Sequence, residues 1–135
     1  MIIERVMDEI GAGLTSIAGL RVHAYEEKSV SPPAALVGLP NTIDFDKTYG
    51  RGMDEATLEV TLLVSEVGGA RVARNAIAPY ADGTGPMSVK QALERRNYTA
   101  CDSVTVRSAR FDVVTIAGTR YLAVIFTLYI TGQGG

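Results

Sequence analysis

The chain has 135 residues, of which 47% are hydrophobic and 21% charged, a length and composition that suit one domain with a buried core. A formal net charge of −2 disfavours a surface that binds nucleic acid or an anionic membrane by charge. No run of about 18 apolar residues predicts a membrane span, and a single cysteine, Cys101, excludes an internal disulfide.

The first two predicted elements are a helix and a strand. Apolar residues recur at three- and four-residue steps over residues 2–17, which predicts an amphipathic helix that Gly19 stops. The acids and arginine in this segment are not expected in a secretory signal. The alternating segment LRVHAY (20–25) predicts a strand, and EEKS (26–29) predicts its turn.

The segment SVSPPAALVGLP (29–40) predicts a second strand bounded by prolines. We expect Ala35 and Val37 on one face of this strand and Leu36 on the other. Because proline cannot donate a hydrogen bond to a sheet ladder, the prolines favour a strand at the edge of the sheet, where they would prevent unwanted pairing.

A strand and a helix are predicted in the middle of the chain. Residues 55–67 (EATLEVTLLVSEV) alternate and predict a long strand. Residues 68–80 (GGARVARNAIAPY) predict a helix that Pro79 ends. Its predicted apolar stripe is Val72, Ala73, Ala76 and Ile77.

A further helix is predicted over residues 86–96 (PMSVKQALERR). Ser88 followed three residues later by Gln91 fits a capping box, in which each side chain hydrogen-bonds the backbone of the other. The predicted buried stripe of this helix is Val89, Ala92 and Leu93.

Two long strands end the chain, at residues 103–116 and 119–130, and a tight hairpin turn at Ala117 and Gly118 joins them. The last strand is apolar on both faces, which is typical of a strand in the middle of a sheet. The order of elements predicts the α+β class, with a mixed or antiparallel sheet of about five strands. An N-terminal helix and two central helices pack on this sheet. Residues 1–131 form a single domain, and residues 132–135 form a flexible tail.

The sequence contains no pattern that predicts catalysis. His23, the only histidine, lies in a predicted strand, and no nucleophile turn accompanies it. Asp102 beside Cys101 would raise the pKa of the thiol, the opposite of what a reactive thiolate needs. We therefore expect no enzyme activity and no cofactor, and a small α+β enzyme stays as an alternative.

The nearest approach to a metal site is an incomplete calcium loop. The residues at positions 1, 3, 5 and 12 of such a loop are Asp44, Asp46, Thr48 and Glu55. Position 6 requires glycine but is Tyr49, and strands rather than helices are predicted on both sides. We interpret the segment as an acidic solvated loop and expect no metal.

Two further patterns have structural interpretations. The segment GGARVA (68–73) places glycines at a helix start, but it lacks the remaining residues of a dinucleotide or phosphate loop. The arginine pairs Arg71/Arg74 and Arg95/Arg96 lie on predicted helices near acids, so we interpret them as solvated helix faces.

Residues 41–54 (NTIDFDKTYGRGMD) have the least regular pattern of the chain, and loops of this length are usually functional or disordered. Aromatic, methionine and arginine side chains suit a segment that binds a partner. The predicted contacts to a neighbouring subunit or partner are Ile43, Phe45, Tyr49, Arg51 and Met53. The alternative is a loop that folds back on its own core.

The chain resembles the tail terminator proteins of bacteriophages with long non-contractile tails, especially those of actinobacteriophages. The resemblance extends over nearly the whole chain and depends on the order and spacing of its pieces. These are the N-terminal amphipathic helix, GLRV (19–22), PPAALVGLP (32–40), LEVTLLVS (58–65), SVKQALE (88–94) and IAGTRYLAVIFTLYI (116–130).

The resemblance implies a structural role without catalysis. Such proteins form a ring, typically a hexamer, on the head-proximal end of the tail tube and stop its polymerisation. The implied partners are other copies of the chain, the major tail tube protein and a head-completion protein. DNA passes through the lumen without specific binding, which the mild acidity of the chain suits. The expected location is the head–tail junction of the virion, after assembly in the cytoplasm of the bacterial host.

Three other structural or binding roles stay open. A head-closure protein of the same neck has similar size and composition. A tail-tube subunit fits less well, because such chains are usually richer in strand than this one. A stand-alone binding module would stay monomeric on any tube end.

Overall fold

The computed structural model describes residues 2–23, 33–45 and 53–133 of the chain. Within these ranges the helices are α1 (Ile3–Leu14), α2 (Ala70–Ala81) and α3 (Val89–Glu94). The strands are β1 (Arg21–His23), β2 (Ala34–Val37), β3 (Thr42–Asp44), β4 (Met53–Ser65), β5 (Ser103–Ile116) and β6 (Thr119–Gln133). The longest of these helices has 12 residues, and none is long and apolar enough to cross a membrane.

The strands form one mixed sheet in the order β1-β2-β4-β6-β5, and β3 pairs with β4 on the side where β2 lies. β1 and β2 are parallel, whereas the other described pairs are antiparallel. The predicted α+β class is confirmed. The sheet has six strands rather than about five, because β3 lies in a segment that was expected to be a loop.

The main core lies between the helices and one face of the sheet, here called the helix-covered face. Val6, Ile10 and Leu14 of α1 pack there against residues of the strands, and Phe126 of β6 is 2% exposed. The opposite face, here called the second face, has a smaller apolar cluster made of strand residues among those described. Its members are Leu36, Leu63, Val114, Ile116, Tyr121 and Ala123.

The prediction that β2 is an edge strand is wrong. β2 lies between β1 and β4, and the Pro33 carbonyl accepts a hydrogen bond from the Arg21 N–H at 3.1 Å. Pro33 and Pro40 lie outside Ala34–Val37, so they bound the strand without interrupting its ladder. The faces are as predicted, with Ala35 in the main core. The turn predicted at 26–29 lies outside the described residues.

Helix α2 differs from its prediction in two ways: it ends at a later residue, and different residues form its buried side. Pro79 lies inside the last turn, and the helix continues to Ala81. Because proline has no N–H, the carbonyl of Asn75, four residues earlier, lacks its helical hydrogen bond. Asn75 is exposed, so water can donate this hydrogen bond instead. The buried stripe is Ala73, Ile77 and Tyr80, whereas the predicted Val72 and Ala76 are exposed.

Helix α3 has half of its predicted capping box. The Ser88 side chain accepts a hydrogen bond from the Gln91 N–H at 3.1 Å. The Gln91 side chain instead accepts from the Gly85 N–H, also at 3.1 Å, and thereby holds the preceding turn. Val89 and Leu93 are buried as predicted, and Ala92 is half-buried.

The hairpin of β5 and β6 is one of the two longest pairings in the described sheet and confirms the predicted elements. β5 has the predicted bounds, and β6 lies between β4 and β5 as its two apolar faces predicted. Ala117 (φ 51°) and Gly118 (φ 81°) form the turn. β6 continues through Gly132 and Gln133, past its predicted end at 130, whereas residues 134–135 of the predicted tail lie outside the described residues.

Candidate interaction surfaces

The residues with predicted chemistry do not converge in the structure. Among the described residues, no three His, Cys, Asp or Glu side chains are placed to hold a metal ion. Cys101 is buried, and burial, together with the carboxylates of Glu9 and Asp102, raises the pKa of its thiol to about 11. The thiol is therefore protonated at neutral pH. His23 lies in β1, as predicted.

The incomplete calcium loop lies between two antiparallel strands. Asp44 in β3 is directly opposite Glu55 in β4, while Asp46 and Thr48 lie outside the described residues. Like charges in directly opposed positions of a sheet repel each other. Among the described residues, this pair of acids is therefore a place that a positively charged neighbour would stabilise.

The five predicted contact residues do not share one environment. Ile43 is half-buried in β3 and packs against the main core, whereas Phe45 is 72% exposed. Met53 begins β4, opposite Gln133 of β6. Tyr49 and Arg51 lie outside the described residues. The 14-residue loop expected at 41–54 is wrong at both ends, because Thr42–Asp44 and the residues from Met53 onward are strands.

Phe45 belongs to a surface here called the β3 corner, formed by Leu39, Asp44, Phe45 and Glu55. Leu39 is 75% exposed as well, and it lies about four residues, or roughly 13 Å, along β4 from the level of Phe45. The backbone between β2 and β3 is held against β4 by two hydrogen bonds, from the Gly38 N–H to the Glu59 carbonyl (3.1 Å) and from the Asn41 N–H to the Thr57 carbonyl (2.6 Å). Leu39 therefore projects from a fixed backbone, which lowers the entropy cost of binding through it.

Gly38 has a steric role in this arrangement. A Cβ at this position would lie 3.3 Å from the Glu59 carbonyl oxygen, closer than side chains usually approach a backbone atom. Glycine therefore allows the chain leaving β2 to stay against β4 while it turns towards β3.

A second apolar surface, here called the α2–β5 groove, was not predicted from the sequence. It is a cleft of about 500 Å³ between α2 and the outer part of the hairpin. It is lined by Glu66, Ala70, Ala73, Arg74, Ile77, Ala78, Phe111 and Leu122. Phe111 is 55% exposed and Val113, two residues along β5, is 43% exposed. Large apolar side chains exposed beside a cleft are a mark of a binding surface.

The groove is open because helix α3 covers only the first part of β5. The Glu94 side chain of α3 accepts a hydrogen bond from the Val106 N–H at 2.9 Å. Although burial raises the pKa of Glu94, hydrogen bonds from Lys90 and from the Val106 N–H lower it overall, so the carboxylate is charged at neutral pH. Beyond this point α2 lies over the hairpin at a distance that leaves the cleft.

A register shift between Val106 and Ser108 determines which side of β5 enters the groove. Arg107 is the extra residue of this bulge, and its guanidinium lies 4.7 Å from the centre of the Tyr129 ring. Without the bulge, uninterrupted alternation from Val106 would place Phe111 on the second face. Sequence periodicity does not show where a bulge occurs, so the groove had no clear sequence signal.

The edge of the groove is positively charged. Arg71 and Arg74 are exposed on α2, a helix without an acidic residue. Within the described ranges, neither arginine has a carboxylate oxygen within 4.0 Å. Glu66 is already paired with Arg120 across 3.3 Å. The groove therefore combines an apolar floor with two unneutralised cations.

The β3 corner and the α2–β5 groove lie diagonally across the sheet. Phe111 is level with Leu62 of β4, whereas Ile43 is level with Ala56, six residues away or roughly 20 Å along the strand. β3 and β5 are also three strand spacings apart, roughly 14 Å. The two surfaces are therefore too far apart to meet within one chain.

Comparison with known proteins does not assign the chain to a family. No protein-family model matches it, and none of the curated proteins matches it significantly.

Proposed function

We propose that this protein is a tail terminator of a bacteriophage with a long non-contractile tail. Its copies form a ring, six in number if it follows the proteins it resembles, on the head-proximal end of the tail tube. The observation that most supports this proposal is the presence of two unlike apolar surfaces at opposite corners of one sheet. Rings close through heterologous contacts, which join two different surfaces of the same chain.

The two faces of the sheet also differ in a way that suits a cap. Helices pack on one face, whereas the second face has a small apolar cluster of strand residues around Tyr121 and Leu63. A ring of such chains presents unlike surfaces at its two ends. One end can bind the tube while the other, which does not copy the tube end, binds a head-completion protein and stops further addition of tube subunits.

The charge of the chain is compatible with a ring through which DNA passes. Phosphate contacts by lysine and arginine dominate the affinity of proteins for DNA. A chain with a formal net charge of −2 lacks the excess of basic residues that would retain DNA in a lumen.

Electron microscopy of a lysate from phage lacking this gene tests the proposal. Loss of a terminator produces over-long or irregular tubes beside unjoined heads, and a plasmid copy of the gene restores the normal length. Tails of normal, uniform length beside heads that leak DNA would instead assign the protein to the head side of the neck, as a head-closure protein. That result would refute the proposal.

A further inference from the structure

We infer that the β3 corner of one copy binds in the α2–β5 groove of the next copy, and that this one contact, repeated, closes the ring. The inference rests on the proposed ring. It specifies which surfaces meet, and it thereby separates the predicted contact residue Phe45 from Ile43, whose side chain packs against its own core.

The apolar parts of the two surfaces suit each other. Alanines at positions 70, 73 and 78 line the helix side of the groove, so its wall is low and leaves space for a large side chain. Phe45 is 72% exposed in one chain, and the groove is an apolar cleft that a side chain of this size can enter. The exposed ring of Phe111 would then contact the incoming Phe45 in an aromatic pair.

The charges of the two surfaces are complementary. The β3 corner has Asp44 and Glu55 in directly opposed positions, so each carboxylate destabilises the other. The groove has Arg71 and Arg74 without an acidic partner among the described residues. Bringing the two surfaces together pairs both sets of charges, and it disfavours groove-to-groove or corner-to-corner contacts, where like charges meet.

The diagonal placement of the surfaces makes the contact head-to-tail. A copy that offers its β3 corner to one neighbour keeps its own groove free for another neighbour. Such a contact joins any number of copies until the rotation between neighbours closes the ring. A symmetric dimer through either surface alone would not continue in this way.

Disulfide trapping with two cysteine variants tests the contact. Phe45→Cys places a thiol in the corner, and Ala78→Cys places one on the exposed wall of the groove. Native Cys101 does not compete, because it is only 7% exposed. The trapping is done on the concentrated purified protein and on tails from phage complemented with the same variants.

A mixture of the two single variants is expected to form a disulfide-linked dimer at least about tenfold more abundantly than either variant alone. The double variant, which has both thiols in one chain, is expected to form a ladder of covalent multimers. Ala12→Cys, exposed on α1 outside both surfaces, is the matched control and should not crosslink with either variant.

Three results would overturn the inference. The first is efficient self-crosslinking of Phe45→Cys, which would indicate a symmetric contact. The second is absence of the mixed dimer in both the concentrated protein and the tails. The third is an Ala78 thiol that is blocked to a maleimide in tails while the Phe45 thiol stays reactive, because another tail protein would then fill the groove.

The disulfide trapping and the electron microscopy test the contact and the terminator function separately. A ladder from a protein whose loss leaves tail length normal would support the contact and refute the terminator function. Over-long tubes without any mixed disulfide would support the function and refute the contact.

Discussion

Phe45, Phe111 and Phe126 are the three phenylalanines of the chain, and they differ sharply in environment. Phe126 is 2% exposed in the main core, whereas Phe45 and Phe111 are 72% and 55% exposed. Burying an aromatic side chain is among the larger contributions to folding or binding that one residue can make. Phe126 makes this contribution to folding, while the other two remain exposed and would make theirs in the proposed contact.

We therefore expect Phe45→Ser and Phe126→Ala to affect stability very differently. Phe126→Ala leaves a cavity in the core and should cost about 3–5 kcal/mol. Phe45→Ser changes a side chain that loses little surface on folding and should alter stability by less than about 0.5 kcal/mol. Urea unfolding of the two variants measures both values. A large loss of stability in Phe45→Ser would mean that Phe45 packs within its own chain.

Glu9 of α1 anchors the segment that leads into β5. Its carboxylate accepts hydrogen bonds from the Thr99 hydroxyl (2.6 Å), the Thr99 N–H (3.0 Å) and the Ala100 N–H (2.7 Å). The Thr99 hydroxyl makes the largest contribution to lowering the pKa of Glu9, and the two backbone bonds add to it against the opposing effect of burial.

This arrangement predicts a specific acid sensitivity. A carboxylate whose pKa is lower in the folded state stabilises the protein above its unfolded pKa, near 4.3, and this stabilisation is lost as the pH falls through the folded pKa. Glu9→Gln should therefore be less stable than the wild type at pH 7, and the difference should shrink between about pH 5 and pH 3. Thermal unfolding across this range checks the prediction. Glu4→Gln, on the exposed side of the same helix, controls for the loss of one charge.

At the scale of elements, the β5–β6 hairpin ends in a two-residue turn. Its turn has positive φ at both Ala117 and Gly118, as a two-residue type I′ turn requires. Alanine is a poor choice for the first of these positions, because its Cβ crowds the following carbonyl in the left-handed region. The hairpin therefore keeps a small strain at its tip.

We expect opposite effects from two changes in this turn. Ala117→Asn should stabilise the protein by up to about 1 kcal/mol, because asparagine tolerates positive φ and Asn-Gly is the preferred pair for this turn. Gly118→Ala should destabilise it by roughly 1–2 kcal/mol. Denaturant unfolding measures both changes. Equal effects of the same sign would show that the turn does not adopt this conformation in solution.

Strand β5 of the hairpin also forms one edge of the described sheet. No described strand pairs with the outer side of β5, a strand of 14 residues. Charged residues and a bulge protect such an edge from uncontrolled pairing, and β5 has Arg107 at its bulge and Arg110 and Asp112 beyond it. The Asp112 side chain also accepts the outward N–H of Val113 at 2.7 Å. The prolines next to β2 do not have this protective role, because β2 is an internal strand.

At the scale of the whole molecule, charge should decide which surfaces of neighbouring copies meet. Reversing one charge at either surface, by Arg74→Glu or Asp44→Arg, should lower association of the concentrated protein several-fold. Combining both changes in one chain should restore much of it, because the pair is then reversed rather than broken. Sedimentation velocity at low and high salt measures the effect. Additive losses in the double variant would show that Arg74 and Asp44 do not interact.

Local pattern by itself determined much of this protein. Helix α1, strand β4, the bounds of β5, the position of the hairpin turn and the cap at Ser88 follow from periodicity and from the conformations that glycine and serine favour. Composition also predicted Phe45 as one of five contact residues, because aromatic, methionine and arginine side chains suit a segment that binds a partner; in the structure Phe45 is exposed. These features depend on residues close together along the chain.

Only the tertiary structure decided the features that depend on distant residues. The parallel pairing of β1 with β2, the short strand β3 and the rotation that buries Tyr80 instead of Val72 each depend on a partner far along the chain. The α2–β5 groove depends further on a one-residue bulge at Arg107, which redirects every later side chain of β5. Because side chains alternate normally on both sides of the bulge, the sequence pattern does not reveal it. The groove forms where helix α2 meets the β5–β6 hairpin, and these two elements come from separate parts of the sequence.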